Sequence, residues 1–419
     1  MEDVESDGED KARVVPDYVK QEMQKFEQGF NGLQGKFKLL NKIGEGTFSS
    51  VYKAIDLEYD KYDNSDWDDL NDRSSASARG STDPGESTKS MAITEKKSGA
   101  AEGGKVVAIK RIYVTSSPIR IENEVSILRD LSGHKNVVTL ITAHRYKDQV
   151  ILVLPYFEHA EFRSYYRNLP MEDIRCYFRA LLSGLAHVHS KKIIHRDIKP
   201  SNFLYDPVRK TGILVDFGLA ERQEEQSEST TPRIGSTKSS LMARGSLKRP
   251  FHLIAHFLCL RRPVARVNRA GTRGFRAPEI LFRHVRQTVA LDVWSVGAIL
   301  IAFLTGRFPF FHSYDEADAL IEIAILFGQV QMKRAAATFG RAMTASVCNE
   351  AKNGLDGENT GDESKRSSTS KKPAVVGWDS QKNLEEAVRL LRRLLTLNPE
   401  DRITAEETLR HPFLVEKQP

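Results

Sequence analysis

Two periodicities divide this chain, and their order limits the folds open to it. From Phe37, the segments FKLLNKIGEG, SSVYKAIDL and VVAIKRI (106–112) are rich in β-branched and aromatic residues, as strands are. IRIENEVSILRDL (119–131) then has a helical period, and a strand pair, VVTLITA and QVILVLPYF, follows it. After Phe157 helical signals dominate. Phe178, Leu181, Leu182, Leu185 and Val188 share one face, and VALDVWSVGAILIAFLTG (289–306) is apolar all round apart from Asp292 and Ser295, as a buried helix is. The expected fold is α+β: a small antiparallel-sheet N-lobe over 36–155 and a larger, mainly helical C-lobe over 156–414. Three polar, low-complexity stretches interrupt it as insertions: 59–104, about 221–250 with its extension to 268, and about 345–376. An extension over 1–35 opens with an acidic run. Val19, Met23, Phe26 and Phe30 then recur at helical spacing, which suits a helix packed on the main domain or one that binds a partner; packing is the commoner role for such a stripe.

Composition excludes several classes. A net charge of +6 over 419 residues is too small for a chain that binds nucleic acid through its charge as a whole. Cys176, Cys259 and Cys348 form no CxxC pair, so neither a disulfide framework nor a structural zinc site is expected, and the usage suits a reducing compartment. MEDVESDGED has no apolar core of a signal peptide, and no apolar stretch approaches a membrane span.

The chemistry is concentrated in a few segments. Gly44-Glu-Gly46-Thr-Phe-Ser-Ser-Val51 lies between two strands, where glycines let backbone amides approach phosphate oxygens; Ser49 stands where a third glycine is usual, and a plain β-turn is the alternative. Lys110, in an otherwise apolar strand, needs an anionic partner: the α- and β-phosphates of ATP, with a helix carboxylate to hold it. Glu124 is placed for that, ahead of Glu122. His195-Arg-Asp197-Ile-Lys199-Pro-Ser-Asn202 sets a base, a cation and a metal ligand in one loop. Asp197 would orient the substrate hydroxyl or accept its proton, Lys199 would neutralise charge on the transferred phosphoryl group, and Asn202 would coordinate Mg²⁺. Asp216, of Asp216-Phe217-Gly218, would bind Mg²⁺ bridging the phosphates. His195 reads as a packing and hydrogen-bonding residue. Glu279 of Ala277-Pro278-Glu279 is expected to pair with Arg402, and Asp292 to accept backbone hydrogen bonds from the catalytic loop.

From about residue 36 to 414 the chain resembles a eukaryotic protein kinase. The lysine two residues after Asp197 and the pair Gly271-Thr272 are like the serine/threonine branch, in which that threonine helps orient the aspartate and lysine. More narrowly, GEGTFSSVYKA, SPIRIENEVSILRDL, LPYFEH, HRDIKPSNFLY, RAGTRGFRAPEIL and DRITAEETLRHPF resemble the cell-division-cycle-seven kinases, catalytic subunits of the replication-initiation kinase DDK. That family also has insertions at three such sites. The resemblance implies a protein serine/threonine kinase using ATP and Mg²⁺ in the nucleus. It further implies an activating regulatory subunit (Dbf-four-like) and phosphorylation of the MCM helicase to trigger DNA replication. No sequence-specific nucleic-acid contact and no membrane are expected. Some relatives carry cysteine-rich zinc-binding sequence before RAGT; only Cys259 stands there in this chain, so zinc is not carried over. Ile43, Gly44, Gly46, Val51, Ala108, Lys110, Leu154, Pro155, Phe157 and Leu204 would contact the nucleotide. The connection between the lobes is Leu154-Pro155-Tyr156-Phe157. Pro155 lacks an N–H, so only its carbonyl can bond the adenine edge. A cyclin-dependent or casein-kinase-like enzyme is the alternative within the class, and a pseudokinase scaffold the alternative outside it; intact Lys110, Asp197, Asn202 and Asp216 weigh against the latter.

No Asp or Glu occurs between Glu228 and Glu279, whereas eleven Arg and Lys side chains do. Lys248-Arg249 or Arg261-Arg262 would suit a nuclear-localisation patch. Arg269, Arg273 and Arg276 flank the expected docking place of residues after the phosphoacceptor, where guanidiniums favour Asp, Glu or phosphoserine. An activation segment lengthened by so basic an insertion carries a large ordering entropy, so a partner, more than one phosphate, is expected to order it together with the Glu124 helix.

Overall fold

The computed structural model of the protein describes residues 15–62, 64, 104–223, 268–343 and 381–415. In chain order the elements are α1 (Asp17–Gly29), β1 (Phe37–Glu45), β2 (Ser49–Asp56), β3 (Lys105–Ile112), α2 (Pro118–Asp130), β4 (Thr142–Tyr146) and β5 (Gln149–Pro155). There follow α3 (Phe162–Tyr165), α4 (Met171–Ser190), β6 (Ile193–Ile194), β7 (Phe203–Asp206), β8 (Thr211–Leu214) and β9 (Glu221–Arg222). The last are α5 (Pro278–Leu281), α6 (Ala290–Thr305), α7 (Glu316–Phe327), α8 (Gln329–Thr338), α9 (Gln381–Leu394), α10 (Ala405–Leu409) and α11 (Pro412–Val415). They form two compact units, one of residues up to His159 with Leu204–Gly218, the other of Ala160–Phe203 with the chain from Leu219.

The first unit is built on an antiparallel sheet of order β1-β2-β3-β5-β4. Side chains alternate across a strand, and here the alternation separates structure from chemistry. Tyr52 and Ala54, Val107 and Ile109, and Ile151 and Val153 face a core completed by Val19, Met23 and Phe26 of α1 and by Phe30 and Leu33 just after it. Of the two roles open to the N-terminal apolar stripe, packing is the one observed, so α1 belongs to this unit's core. Glu22 of α1 pairs with Lys42 at 2.9 Å and accepts a hydrogen bond from the buried Tyr52 hydroxyl at 2.7 Å. The opposite parity places Val51, Lys110 and Leu152 in register, and Ala108 beside Leu154. Register shifts at Leu39/Asn41 and Lys42/Gly44 mark bulges in β1 next to the glycine-rich turn.

Two sequence-based boundaries move. Residues 204–218 were expected in the helical lobe but belong to the first unit: Leu214 bridges Val137, and Asn136 donates to the Gly212 carbonyl at 2.8 Å. The second insertion begins later than 221, because Glu221 and Arg222 pair as β9 with β6. The first begins with a 3-10 turn at Tyr59–Lys61, whose Lys61 pairs with Glu58.

In the second unit, the expected apolar face of α4 is buried from Phe178 to Val188. Helix α6 is buried from Leu291 to Phe303 and ends at Gly306 in the left-handed region. Glu279 and Arg402 form the expected pair, two hydrogen bonds of 2.7 and 3.0 Å with both side chains buried. No described helix is long and apolar enough to cross a membrane.

Phe26 is 1% exposed, and its ring lies 5.1 Å from that of Tyr52, centroid to centroid. Phe26→Ala is expected to cost about 3–5 kcal/mol, read as a lower urea midpoint. A loss within the roughly 0.5 kcal/mol typical of surface sites would remove α1 from the core.

Candidate active site

The first unit carries a phosphate-facing set. In β3, flanked by apolar strands, the Lys110 ammonium is buried and lies 2.5 Å from Glu124 of α2 and 2.6 Å from Asp216. Burial opposes its charge, but these two carboxylates outweigh burial and hold its pKa above the ordinary lysine value. Glu124 is buried and Glu122 exposed, so the choice between them holds. Asp216 sits in the left-handed region (φ 61°), a strain retained mostly at functional positions. The turn between β1 and β2 closes with Gly46 N–H donating to the Ser49 carbonyl at 2.8 Å. Neither Gly44 nor Gly46 has a positive φ, and a Cβ on either would meet nothing closer than 3.6 Å. The turn itself therefore does not demand these glycines. Val51, Leu154, Pro155 and Phe157 are half-buried, Ala108 is buried and Ile43, at a bulge, is exposed. The Phe157 carbonyl contacts the His159 ring at 3.0 Å. Leu204 lies in the same unit on β7.

Arg120 joins this set, and the sequence reading missed it. Its Nε donates to the Gly218 carbonyl at 2.7 Å, and its guanidinium lies 3.7 Å from the centroid of Phe48, at the tip of the glycine-rich turn. One helical turn separates Arg120 from Glu124, so both reach from the same face of α2. That i, i+4 pair of opposite charges was the available signal.

The second unit carries the catalytic loop. Asp197 is buried, and its carboxylate collects donors from three directions. Thr272 gives its backbone N–H (2.9 Å) and hydroxyl (2.6 Å), Asn202 its amide (3.0 Å) and Lys199 its ammonium (2.8 Å). Lys199 also reaches the Thr272 hydroxyl at 2.9 Å. Gly271 has φ +114°, and a Cβ there would lie 2.7 Å from the Arg196 carbonyl, so only glycine lets Thr272 come this close. The Asn202 amide nitrogen is spent on Asp197, while its carbonyl oxygen makes no hydrogen bond among the described residues. An uncommitted hard oxygen fits Mg²⁺, which takes one or two protein oxygens with substrate phosphates instead of an all-protein cage. No cluster of three His, Cys, Asp or Glu that could hold a metal occurs among the described residues. Cys259 and Cys348 lie outside the described residues.

Asp292 explains how this loop is held. Its two carboxylate oxygens accept the backbone N–H groups of His195 and Arg196, both at 2.8 Å, and His189 adds a contact at 3.0 Å. Burial alone would raise its pKa; the histidines and backbone donors overturn that and hold it below the ordinary carboxylate range. His195 is fully buried and its Nδ1 accepts from the Asp197 N–H at 3.3 Å, in keeping with a structural role. Arg196, at φ 69°, pairs with Glu221 at 2.6 Å and with Gln287.

Arg273 and Arg276 line one small cleft in the second unit together with the apolar Leu281, Phe311 and Ile323, and Arg269 reaches Glu316 of the same lining. Arg276 donates twice to the Gly271 carbonyl, at 2.7 and 3.0 Å, one residue from Thr272. Burial lowers its pKa from the usual arginine value. The other eight basic residues of the run lie outside the described residues.

Asp292→Asn replaces one of the two accepting oxygens with an NH₂ donor, so one of the two buried N–H groups loses its acceptor, and it should cost about 1–3 kcal/mol near neutral pH. Because the native pKa is depressed, Asp292 contributes stability above the unfolded carboxylate value of about 3.9 and loses it as pH falls through the lower native value. Urea titrations should therefore show the gap between wild type and variant closing below about pH 5. A gap independent of pH would contradict the depressed pKa.

Comparison with known proteins agrees with this geometry. The protein kinase domain family matches residues 85–242 and 257–414. The chain is 39% identical to the cell cycle serine/threonine-protein kinase hsk1 of Schizosaccharomyces pombe, over 98% of this chain and 78% of that relative. It is 37% identical to the cell cycle protein kinase spo4 of the same yeast, over 94% of this chain and 88% of spo4. The human cell division cycle 7-related protein kinase is 25% identical, over 94% and 92% of the two chains.

Proposed function

This chain belongs to the protein kinase family, in its cell-division-cycle-7 branch, and from that premise we propose how its residues divide the work and what they act on. It is a serine/threonine kinase of the cell cycle, and ATP is its phosphoryl donor. The observation that carries the mechanism is the Asp197 carboxylate, fixed by Thr272, Lys199 and Asn202. So held, it accepts a hydrogen bond from the substrate Ser or Thr hydroxyl and aims that oxygen at the γ-phosphorus. As the new P–O bond forms, the hydroxyl proton passes to the Asp197 carboxylate, the bond from the γ-phosphorus to the β-phosphate oxygen breaks, and ADP leaves. Lys199 offsets charge on the moving phosphoryl group, and Lys110 holds the α- and β-phosphates. Each unit carries a residue that would hold Mg²⁺, Asp216 in the first and Asn202 in the second. When bound, the metal ion neutralises phosphate charge. Positioning and charge neutralisation are most of what phosphoryl transfer requires of a protein.

The proposed substrates are proteins with acidic or phosphorylated residues beside the target hydroxyl, the MCM helicase among them, and the proposed role is to trigger DNA replication in the nucleus. The arginine cleft next to Thr272 supports the acidic preference. A Dbf-four-like regulatory subunit is proposed as activator. Arg196 supports it: this guanidinium is occupied by Glu221 and Gln287, so it is not waiting to collect a single phosphate.

Single-turnover transfer to a protein substrate is the test. Wild type with its regulatory subunit should be fast, wild type alone at least about tenfold slower, and Asp197→Ala with the subunit slower by about 10²–10⁴. Equal rates with and without the subunit would refute the activator, and an active Asp197→Ala would refute the assignment of Asp197.

A further inference from the structure

The acidic preference proposed above rests on arginines, yet two of them, Arg269 and Arg276, already lie beside a carboxylate of the same chain. Glu316, the first residue of α7, lies 3.3 Å from Arg269, 3.3 Å from Arg283 and 3.8 Å from Arg276. Three guanidiniums on one carboxylate leave a cluster of net charge +2 at the rim of the cleft. Two of the three guanidiniums that Glu316 engages, those of Arg269 and Arg276, are ones proposed to meet an incoming acidic side chain.

Glu316 is also placed to let go. The first free N–H groups of α7 do not depend on it: Asp315 caps the helix, accepting from Ala317 and Asp318 at 2.8 and 2.9 Å. A carboxylate in the first helical turn remains favoured by the helix dipole after its arginines turn elsewhere. Its side chain is 26% exposed, and those of Arg269 and Arg283 are 50% and 45% exposed, so water can take over the vacated contacts.

We propose that Glu316 is a specificity-determining residue: an internal counter-ion that occupies the arginine cleft in place of the substrate's acidic group and must be displaced for that group to dock. This deepens the reading of the cleft given above and rests on it. The consequence is selectivity by competition. A neutral residue cannot displace Glu316, a single carboxylate exchanges with it nearly evenly, and a phosphate, with more charge and three acceptor oxygens, displaces it best. Glu316 thus weakens binding of every acidic neighbour relative to a neutral one, and a phosphorylated neighbour, with the greater charge, still binds best.

The test uses the full chain with its regulatory subunit and three peptides that differ only after the phosphoacceptor: alanine, aspartate or phosphoserine. In Glu316→Gln, which keeps the side-chain shape, kcat/KM for the aspartate peptide relative to the alanine peptide should rise about 2- to 5-fold, the range of an exposed ion pair. The gain should lie in KM, not kcat, and be at least as large for phosphoserine. Glu316→Ala should move the ratio in the same direction, which guards against an effect peculiar to the amide. An unchanged or lowered ratio in both variants would overturn the proposal, since Glu316 would then only brace the arginines. Arg276→Ala separates the two levels: if it loses the acidic preference while the Glu316 variants shift nothing, the cleft reading stands and this inference fails. If Arg276→Ala keeps the full preference, the cleft reading fails and this inference with it.

Discussion

A single buried carboxylate organises the catalytic loop. Asp292 projects from α6, a helix otherwise buried in apolar contacts, and is 1% exposed. A charge so placed is costly unless its hydrogen-bonding capacity is filled, and the groups that fill it are backbone N–H donors at His195 and Arg196. The loop therefore inherits the rigidity of the core. Asp197, the next residue, starts from a fixed backbone, and Thr272, Lys199 and Asn202 then fix its carboxylate. Gly271 completes the arrangement, because only a residue without a Cβ can pass the Arg196 carbonyl closely enough to present Thr272.

In the first unit the equivalent constraint is the pleat. Residues one apart on β2, β3 and β5 belong to opposite faces, so the side that packs on α1 and the side that carries Val51, Ala108, Lys110 and Leu154 are set by the same three strands. A slip of one residue would exchange them. The apolar core on the α1 side thereby enforces the register that delivers Lys110 to Glu124 and Asp216. Arg120 extends this from the same helix as Glu124, tying the glycine-rich turn to Gly218.

Charge is handled differently in the two arginine-rich places of the second unit. Arg196 is buried and its partners, Glu221 and Gln287, come from β9 and from just before α6, so its neutralisation is part of the fold. The cleft cluster is half-exposed and shares one carboxylate among three guanidiniums. The first suits a fixed support, the second an exchangeable site, because exposed ion pairs are weak enough to trade partners.

Much of this was legible in the chain itself. The strand and helix periodicities placed α1, α2, α4 and α6, and the segments around Lys110, His195–Asn202 and Asp216 identified the chemistry, since each needs particular residue types at fixed local spacing. Asp292 as a backbone acceptor was also foreseeable, because a buried charge demands a partner, and the pairing of Glu279 with Arg402 was implied by the family resemblance. Sequence did not reveal that 204–218 joins the first unit, that Glu221 reaches Arg196, that Arg120 spans Phe48 and Gly218, or that Glu316 sits among the arginines. The physical reason is the same in each case. Local periodicity and motif spacing are properties of neighbours along the chain, whereas these contacts join residues 25 to 98 positions apart and exist only once packing has brought their elements together. For the substrate cleft, sequence determined that arginines would be present; tertiary structure decided that a carboxylate of the same chain already holds them.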